Sequence, residues 1–373
     1  MRGRALPILL LPLAACAPTH EPVRAMPDMA APEAPPPPPS WPPPPPDAWR
    51  AGGFVGPPIL QSPTEAWSRM LPGPIIEPVT SDGERVYAVA EGRVYCFDLD
   101  GNALWNIRSL ASGGVAVTDQ GPVVGTETGM LVVLDPKNGA TVRSVTGGGP
   151  VRGLAVQLPT SVAWVTVHGG IASTADWGRE VALSAAGGVA ADGDTLYVTT
   201  LEGELVAANK DGVLWQAALP AAAVEGPALD AEHVYVPISS STGQPGGVLA
   251  FDRAGKEVWR HQTEFQPAGP LSVGRHVYVP DKDGHVYALD RATGERVWAA
   301  EGFGEFGAQP TVVEGQVYAG NGDGSLYRID GDDGGAVWKV PLGASVTGDP
   351  VYVRGRLVVG LSNGRLVALS EGQ

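Results

Sequence analysis

From Gly269 to Glu301 apolar and polar positions alternate in four short runs, PLSV, HVYVP, HVYALD and ERVWAAE. The runs are separated by Gly274-Arg275, by Asp281-Lys282-Asp283-Gly284 and by Arg291-Ala292-Thr293-Gly294. A period of two in β-branched and aromatic residues, broken by Gly and Asp turns, predicts a four-stranded antiparallel meander. The pattern returns in Gln309 to Val340 and Gly226 to His261, and more loosely from Ile75, Gly114, Gly153 and Gly188. The copy from Gly153 is the most degenerate, and the last, from Gly348, stops after its third strand.

Closing tryptophans set the register. Trp67 to Trp105 spans 38 residues, Trp215 to Trp259 spans 44, Trp259 to Trp298 spans 39 and Trp298 to Trp338 spans 40. Trp105 to Trp215 spans 110, three periods, with Arg143 and Val181 in the two intervening tryptophan slots. The 44-residue interval holds an insertion around Ser239 to Gly247. Four strands per unit at a period near 40 predict β-propeller blades. The eighth unit lacks a fourth strand, and EAWSRML (Glu65 to Leu71) is a strand with no unit of its own. The expected fold is an all-β, eight-bladed propeller of four-stranded repeats, its ring closed by this N-terminal strand pairing with the last blade. An open ring would leave a long unpaired edge.

One segment per unit carries A-x-D, a T-G turn and then Trp. ALDRATGERVW (Ala288 to Trp298) has every element, AFDRAGKEVW lacks the Thr, and RIDGDDGGAVW keeps Asp, Gly and Trp. These segments resemble the pyrroloquinoline-quinone (PQQ)-like repeat, from about Glu65 to the C-terminus. The WD40 alternative fails, because no Trp-Asp dipeptide occurs.

The region ahead of the repeats has a different character. MRGR is a basic start, and ALPILLLPLAA is an apolar core too short to span a membrane. Leu13-Ala14-Ala15-Cys16 resembles a bacterial lipobox. Residues 1–15 are therefore expected to be a lipoprotein signal peptide, and Cys16 the lipidated residue that carries palmitate. Residues 16–63 form a linker and 64–373 the propeller. Pro35 to Pro46 contains ten prolines in twelve residues, so a polyproline II spacer rising about 3.1 Å per residue is expected. A proline-rich recognition motif around Trp41 is the alternative. By resemblance, Ala17 after the cysteine favours anchoring to the outer membrane, facing the periplasm.

The formal charge is −15, and −17 once residues 1–15 are removed. Charge of this sign excludes nucleic acid and anionic lipid surfaces as natural partners. Cys96 is then the one cysteine besides Cys16. It allows no disulfide within the propeller, and a buried apolar role outweighs a reactive thiol.

Candidate chemistry is sparse. His20, His168, His233, His261, His276 and His285 show no paired ligand spacing, so no metal is expected. Asp98 to Asn102 and Asp281 to Gly284 resemble fragments of calcium loops but lack the terminal Glu, and hairpin turns account for both. Gly320 to Gly324 precedes a strand, not a helix that could hold a phosphate. Quinoprotein dehydrogenases share the repeat, but they are longer and most alcohol-oxidising ones carry an adjacent cysteine pair. That pair is absent here, so no cofactor and no enzymatic activity are expected.

Surface remains. Second-to-third-strand turns and unit-to-unit connections fall on one face of such a ring. EFQPAG and FGEFGAQ place Phe265, Phe303 and Phe306 in those connections, rimmed by Glu264, Gln266, Glu305 and Gln309. Phe265, Gln266, Phe303, Glu305, Phe306 and Gln309 are thus the expected protein-binding residues. The alternative is that the rings turn inward and plug the channel mouth.

An eight-bladed PQQ-like ring on an exported lipoprotein is similar to the BamB family, propeller lipoproteins of the outer-membrane β-barrel assembly machine. The resemblance implies a non-catalytic scaffold whose partners are other envelope proteins, including that machinery. A propeller binding a small ligand or glycan at the channel mouth is a second expectation, and a degenerate quinoprotein a third.

Overall fold

The computed structural model describes residues 57–373 apart from 147–148, 167–169, 175–184, 241–244, 264–265, 270 and 373. The expected signal peptide, Cys16, most of the proline linker and Val181 lie outside the described residues. Every regular element among the described residues is a β-strand, as the period-two alternation predicts.

The strands form antiparallel sheets whose spatial order follows the chain, numbered here one to eight. Sheets one (80–108), two (111–146), four (185–218), five (228–262), six (272–301) and seven (311–341) each have four strands. Sheet eight (351–370) has three, and Thr64–Met70 is added at its outer edge as the fourth. Sheet three (151–173) has three strands among the described residues. The first strands of neighbouring sheets touch one another, and Thr80–Ser81 of sheet one touches Val351–Val353 of sheet eight. They therefore surround a common axis. The molecule is an all-β propeller of four-stranded blades, seven of them complete. The expectation of eight four-stranded blades is corrected on this point. In the degenerate unit from Gly153 the place of the outer strand falls at 175–184, outside the described residues.

The repeat motif has a direct physical reading. Its Asp caps the third-to-fourth-strand turn: Asp290 Oδ1 accepts the amides of Ala292 and Thr293, each at 2.9 Å. Asp98 does the same for Asp100 and Asn102, so this apparent calcium-loop acid is satisfied by its own turn. The turn glycine stands at positive φ, +76° at Gly334, and a Cβ there would lie 2.7 Å from Trp298 of the preceding sheet. That tryptophan donates Nε1–H to the carbonyl of Gly331 in the same turn, at 3.1 Å. Trp67, Trp105, Trp215 and Trp259 repeat the bond to Leu99, Pro136, Arg253 and Arg291. In the empty slot of sheet two, Arg143 Nη2 donates to Thr174 O instead, at 2.8 Å. Asp, Gly and Trp thus form one joint between consecutive sheets.

Residues 57–60 fill this joint at the last position. Trp338 Nε1 and Tyr318 Oη both donate to Ile59 O, and Tyr352 Oη donates to Pro57 O at 2.6 Å. Ile59 is buried among Trp338, Tyr352 and Leu369. The chain therefore enters the propeller on the face that carries the third-to-fourth-strand turns. Hairpins at Glu314-Gly315 and Arg354-Gly355 on this face have both central residues at positive φ, the conformation that matches strand twist.

The core lies in slabs between neighbouring sheets. Among the described residues, five slabs are closed on the outside by a Tyr–Trp pair such as Tyr278–Trp298, with ring centroids 5.7 Å apart. Cys96 is fully buried in the slab between sheets one and two. Burial, with the Asp82 carboxylate adding to it, pushes its thiol up to about 12. With Cys16 replaced by Ser, the native chain is expected to be inert to an aromatic disulfide reagent at about pH 8 and to release one equivalent on denaturation. Titration of the native thiol at the denatured rate would contradict this placement.

Candidate functional site

Connectivity alone assigns the loops to faces. Each sheet is a meander, so second-to-third-strand turns share one end with the connections to the next sheet, as expected. Gly302 N–H to Gly284 O and Leu342 N–H to Gly324 O, both 2.7 Å, tie the two kinds of loop together. This face is opposite the one at which residues 57–60 enter.

The structure divides the predicted residues. Phe303 stands free, 87% exposed. Lys339 of the next sheet places its Nζ 4.5 Å from the Phe303 ring centroid. The same ammonium donates to Asp323 Oδ2 at 2.7 Å. Burial acts to raise the Asp323 carboxyl, but hydrogen bonds from Lys339, Tyr327 and Ser325 hold it below the usual range. The ring thus sits beside a cation that Asp323 holds in place. Glu305 is exposed beside it, and its carbonyl accepts the Gly322 amide at 2.8 Å.

Phe306 and Gln309 are corrections. Phe306 is fully buried and meets Tyr327 edge-on at 5.5 Å. It occupies the position of Val346 in the next unit: each lies four residues before a proline, and each donates its amide to a turn carbonyl, of Asp281 and Asn321 respectively. Repeat packing therefore does require an apolar residue there. Gln309 is half-buried and joins three sheets, its amide donating to Asp349 Oδ1 at 2.7 Å and its Nε2 to Leu271 O at 2.9 Å. Gln266 is also half-buried, its carbonyl accepting the Lys282 amide at 3.3 Å. Phe265 and Glu264 lie outside the described residues.

Other exposed apolar side chains share the face. Ile76 in the 71–79 connection is 65% exposed, Leu201 in a second-to-third-strand turn is 60% exposed, and Leu110 protrudes at positive φ. Three carboxylates stand inside this rim. Glu77, Glu225 and Asp349 directly precede the first strands of sheets one, five and eight. Sheet five is not adjacent to the other two, yet each acid adds to the electrostatic penalty on another, as expected for carboxylates placed at the start of innermost strands around one axis. Burial, reinforced by Glu225 and Glu77, pushes Asp349 up to about 7 despite the Gln309 amide. Glu77 is raised for the same reasons. Among the described residues no group of three His, Cys, Asp or Glu is placed to hold a metal ion. No helix there is long and apolar enough to cross a membrane.

Comparison with known families matches residues 61–158, 160–245 and 244–373 to the family described as outer membrane protein assembly factor BamB. The chain belongs to the BamB family. The crystal structure of BamB from Moraxella catarrhalis superposes with a TM-score of 0.66 at 19% identity, covering 83% of this chain and 98% of that one. The computationally designed Ika8 protein superposes at 0.67 with 15% identity, covering 81% and 98%. Quinohemoprotein alcohol dehydrogenase from Comamonas testosteroni superposes at 0.62 with 14% identity, covering 83% and 77%. Likenesses at these identities establish the propeller fold. No curated protein matches the chain.

Proposed function

We propose that this chain is a non-catalytic scaffold, lipid-anchored through Cys16 to the outer membrane and facing the periplasm, which binds other proteins in outer-membrane protein assembly. In this reading Thr64–Met70, paired with the last sheet, is the latch that closes the ring. Membership of a family described by outer-membrane protein assembly supports the process. The observation that carries the protein-binding role is the position of Phe303, Ile76 and Leu201 on the face turned away from the chain's entry. Exposed apolar anchors in a polar rim are the composition of a recognition surface.

The reading is tested by affinity purification from detergent-solubilised membranes, with a tag after Gln373. Phe303→Asp is expected to reduce recovery of barrel-assembly components at least tenfold, as for an interface anchor. Its own stability should stay within about 0.5 kcal/mol, because the ring is exposed. Undiminished recovery, or a propeller that elutes alone, counts against the proposal.

The axial carboxylates favour one second reading, a small cationic ligand or amino sugar at the channel mouth. Such a ligand would raise the melting temperature in proportion to its saturation. A quinone bearing three carboxylates does not fit beside Glu77, Glu225 and Asp349, because like charges there repel.

A further inference from the structure

Asp281 is a fully buried carboxyl group whose Oδ2 has no hydrogen-bond partner among the described residues. An ionised oxygen left unpaired in such a place is strongly disfavoured. The next sheet shows what the position requires. Asn321 occupies the same site, and the two share three backbone bonds. Their amides donate to the carbonyl of the residue four positions on (His285 O at 2.9 Å, Ser325 O at 3.0 Å). Their carbonyls accept the turn glycine (Gly284, Gly324) and the following connection (Phe306, Val346). Each side chain also accepts an amide two residues on, Asp283 at 3.3 Å and Asp323 at 2.8 Å. Asn321 then donates Nδ2–H to Gly304 O at 2.6 Å. An ionised Asp281 has no proton to give in that direction. Thr126, Thr200 and Leu361 hold the site in sheets two, four and eight, so Asp281 is the one acid among these five positions.

We infer that Asp281 is held as the neutral carboxylic acid, standing in for the amide of Asn321, and that its ionisation loosens the two connections its turn ties together. Those ties are Lys282 N–H to Gln266 O and Ala268 N–H to Pro280 O on one side, and Phe306 N–H to Asp281 O on the other. The charged groups around it are Lys282, Asp283 and His285 on its own turn and Glu305 on the 302–308 connection; 266–268 carries none. Tyr287 Oη donates to Asp283 Oδ2 at 2.6 Å and is committed there; His285 Nδ1 lies 3.0 Å from Asp283 Oδ1, and this imidazole opposes the rise of Asp281 without overcoming its burial. Burial, with Asp283 adding to it, pushes Asp281 up to about 7, which places the transition in an ordinary pH range. The consequence for partner binding rests on the protein-binding reading above; the protonation state does not.

The sign follows from linkage. A carboxyl raised in the folded state binds its proton more tightly there than in the unfolded chain, where its pKa is about 3.9. Its contribution to stability is full below that value, falls as pH rises to about 7, and is level beyond. Asp281→Asn removes this loss. Melting of the parent, D281N and N321D is compared from about pH 5 to about pH 9. D281N should melt above the parent by the widest margin at about pH 7 and higher, the gap narrowing toward acid. N321D should acquire an additional fall over the same range. At about pH 8 the Lys282 and Phe306 amides should exchange hydrogen faster in the parent than in D281N. A D281N profile parallel to the parent's, or a D281N less stable at about pH 8, overturns the inference. No partner enters these measurements, so lost capture with the expected pH profiles counts against the protein-binding reading alone.

Discussion

A chain that begins after Leu71 is expected not to fold as a monomer. Thr64–Met70 pairs with Arg365–Ser370 from Thr64 opposite Ser370 to Met70 opposite Arg365. Trp67 is buried against Phe97 of sheet one, with its Nε1 on Leu99 O at 2.8 Å, and Arg69 Nε donates to Gly101 O at 2.6 Å. Glu65 pairs with Arg365. Loss of the Trp67 and Leu71 side chains alone costs about 3–5 and about 2–5 kcal/mol. The sum approaches the whole stability of an ordinary domain, about 5–15 kcal/mol. Removal of 57–60 also uncovers Trp338, Tyr318 and Tyr352. What remains presents an apolar strand edge, the usual template for association. Size-exclusion chromatography and a thermal melt should show aggregate and no cooperative transition. A monomer melting near the parent would mean that the strand is dispensable.

Trp298→Ala is expected to be the most damaging single change in the regular part of the ring. The indole is nearly buried, packs on Tyr278 and covers Gly334 and the Asp330–Gly335 turn. Truncation forfeits about 3–5 kcal/mol of packing and leaves Gly331 O without its donor. Trp298→Phe keeps most of the ring contact and loses the hydrogen bond, about 0.5–1.5 kcal/mol. Urea denaturation of the two variants should show that order. A loss below about 1 kcal/mol for the alanine variant would mean that the Asp–Gly–Trp joint is not what couples neighbouring sheets.

The joint was legible in the sequence because one physical requirement recurs in most units. Asp290, Gly294 and Trp259 repeat their roles at Asp330, Gly334 and Trp298, so the period exposes them. The N-terminal strand was legible from a deficit, a fourth strand missing at one end and spare at the other. The role of 57–60 was not, since Pro57, Ile59 and Leu60 act mainly through backbone carbonyls, which carry no residue signature. In the candidate site Phe303 was read correctly as exposed. Phe306, three residues later, was not, because Phe and Val at equivalent positions do not look like one repeat slot until Phe306 and Val346 are aligned on Pro310 and Pro350. Glu77, Glu225 and Asp349 are far apart in the chain and influence one another only through ring geometry. Asp281 looked like any Asp in a D-x-D-G turn. Its difference from Asp323 lies in burial, which spacing does not encode.

Site-specific photo-crosslinking in intact cells tests the central claim most directly. A crosslinking residue in place of Phe303 would be compared with one in place of Ala292, an exposed turn residue on the opposite face. The account predicts a discrete adduct to a barrel-assembly component from position 303 and none from 292. Equal adducts from both positions, or an adduct from 292 alone, would contradict it.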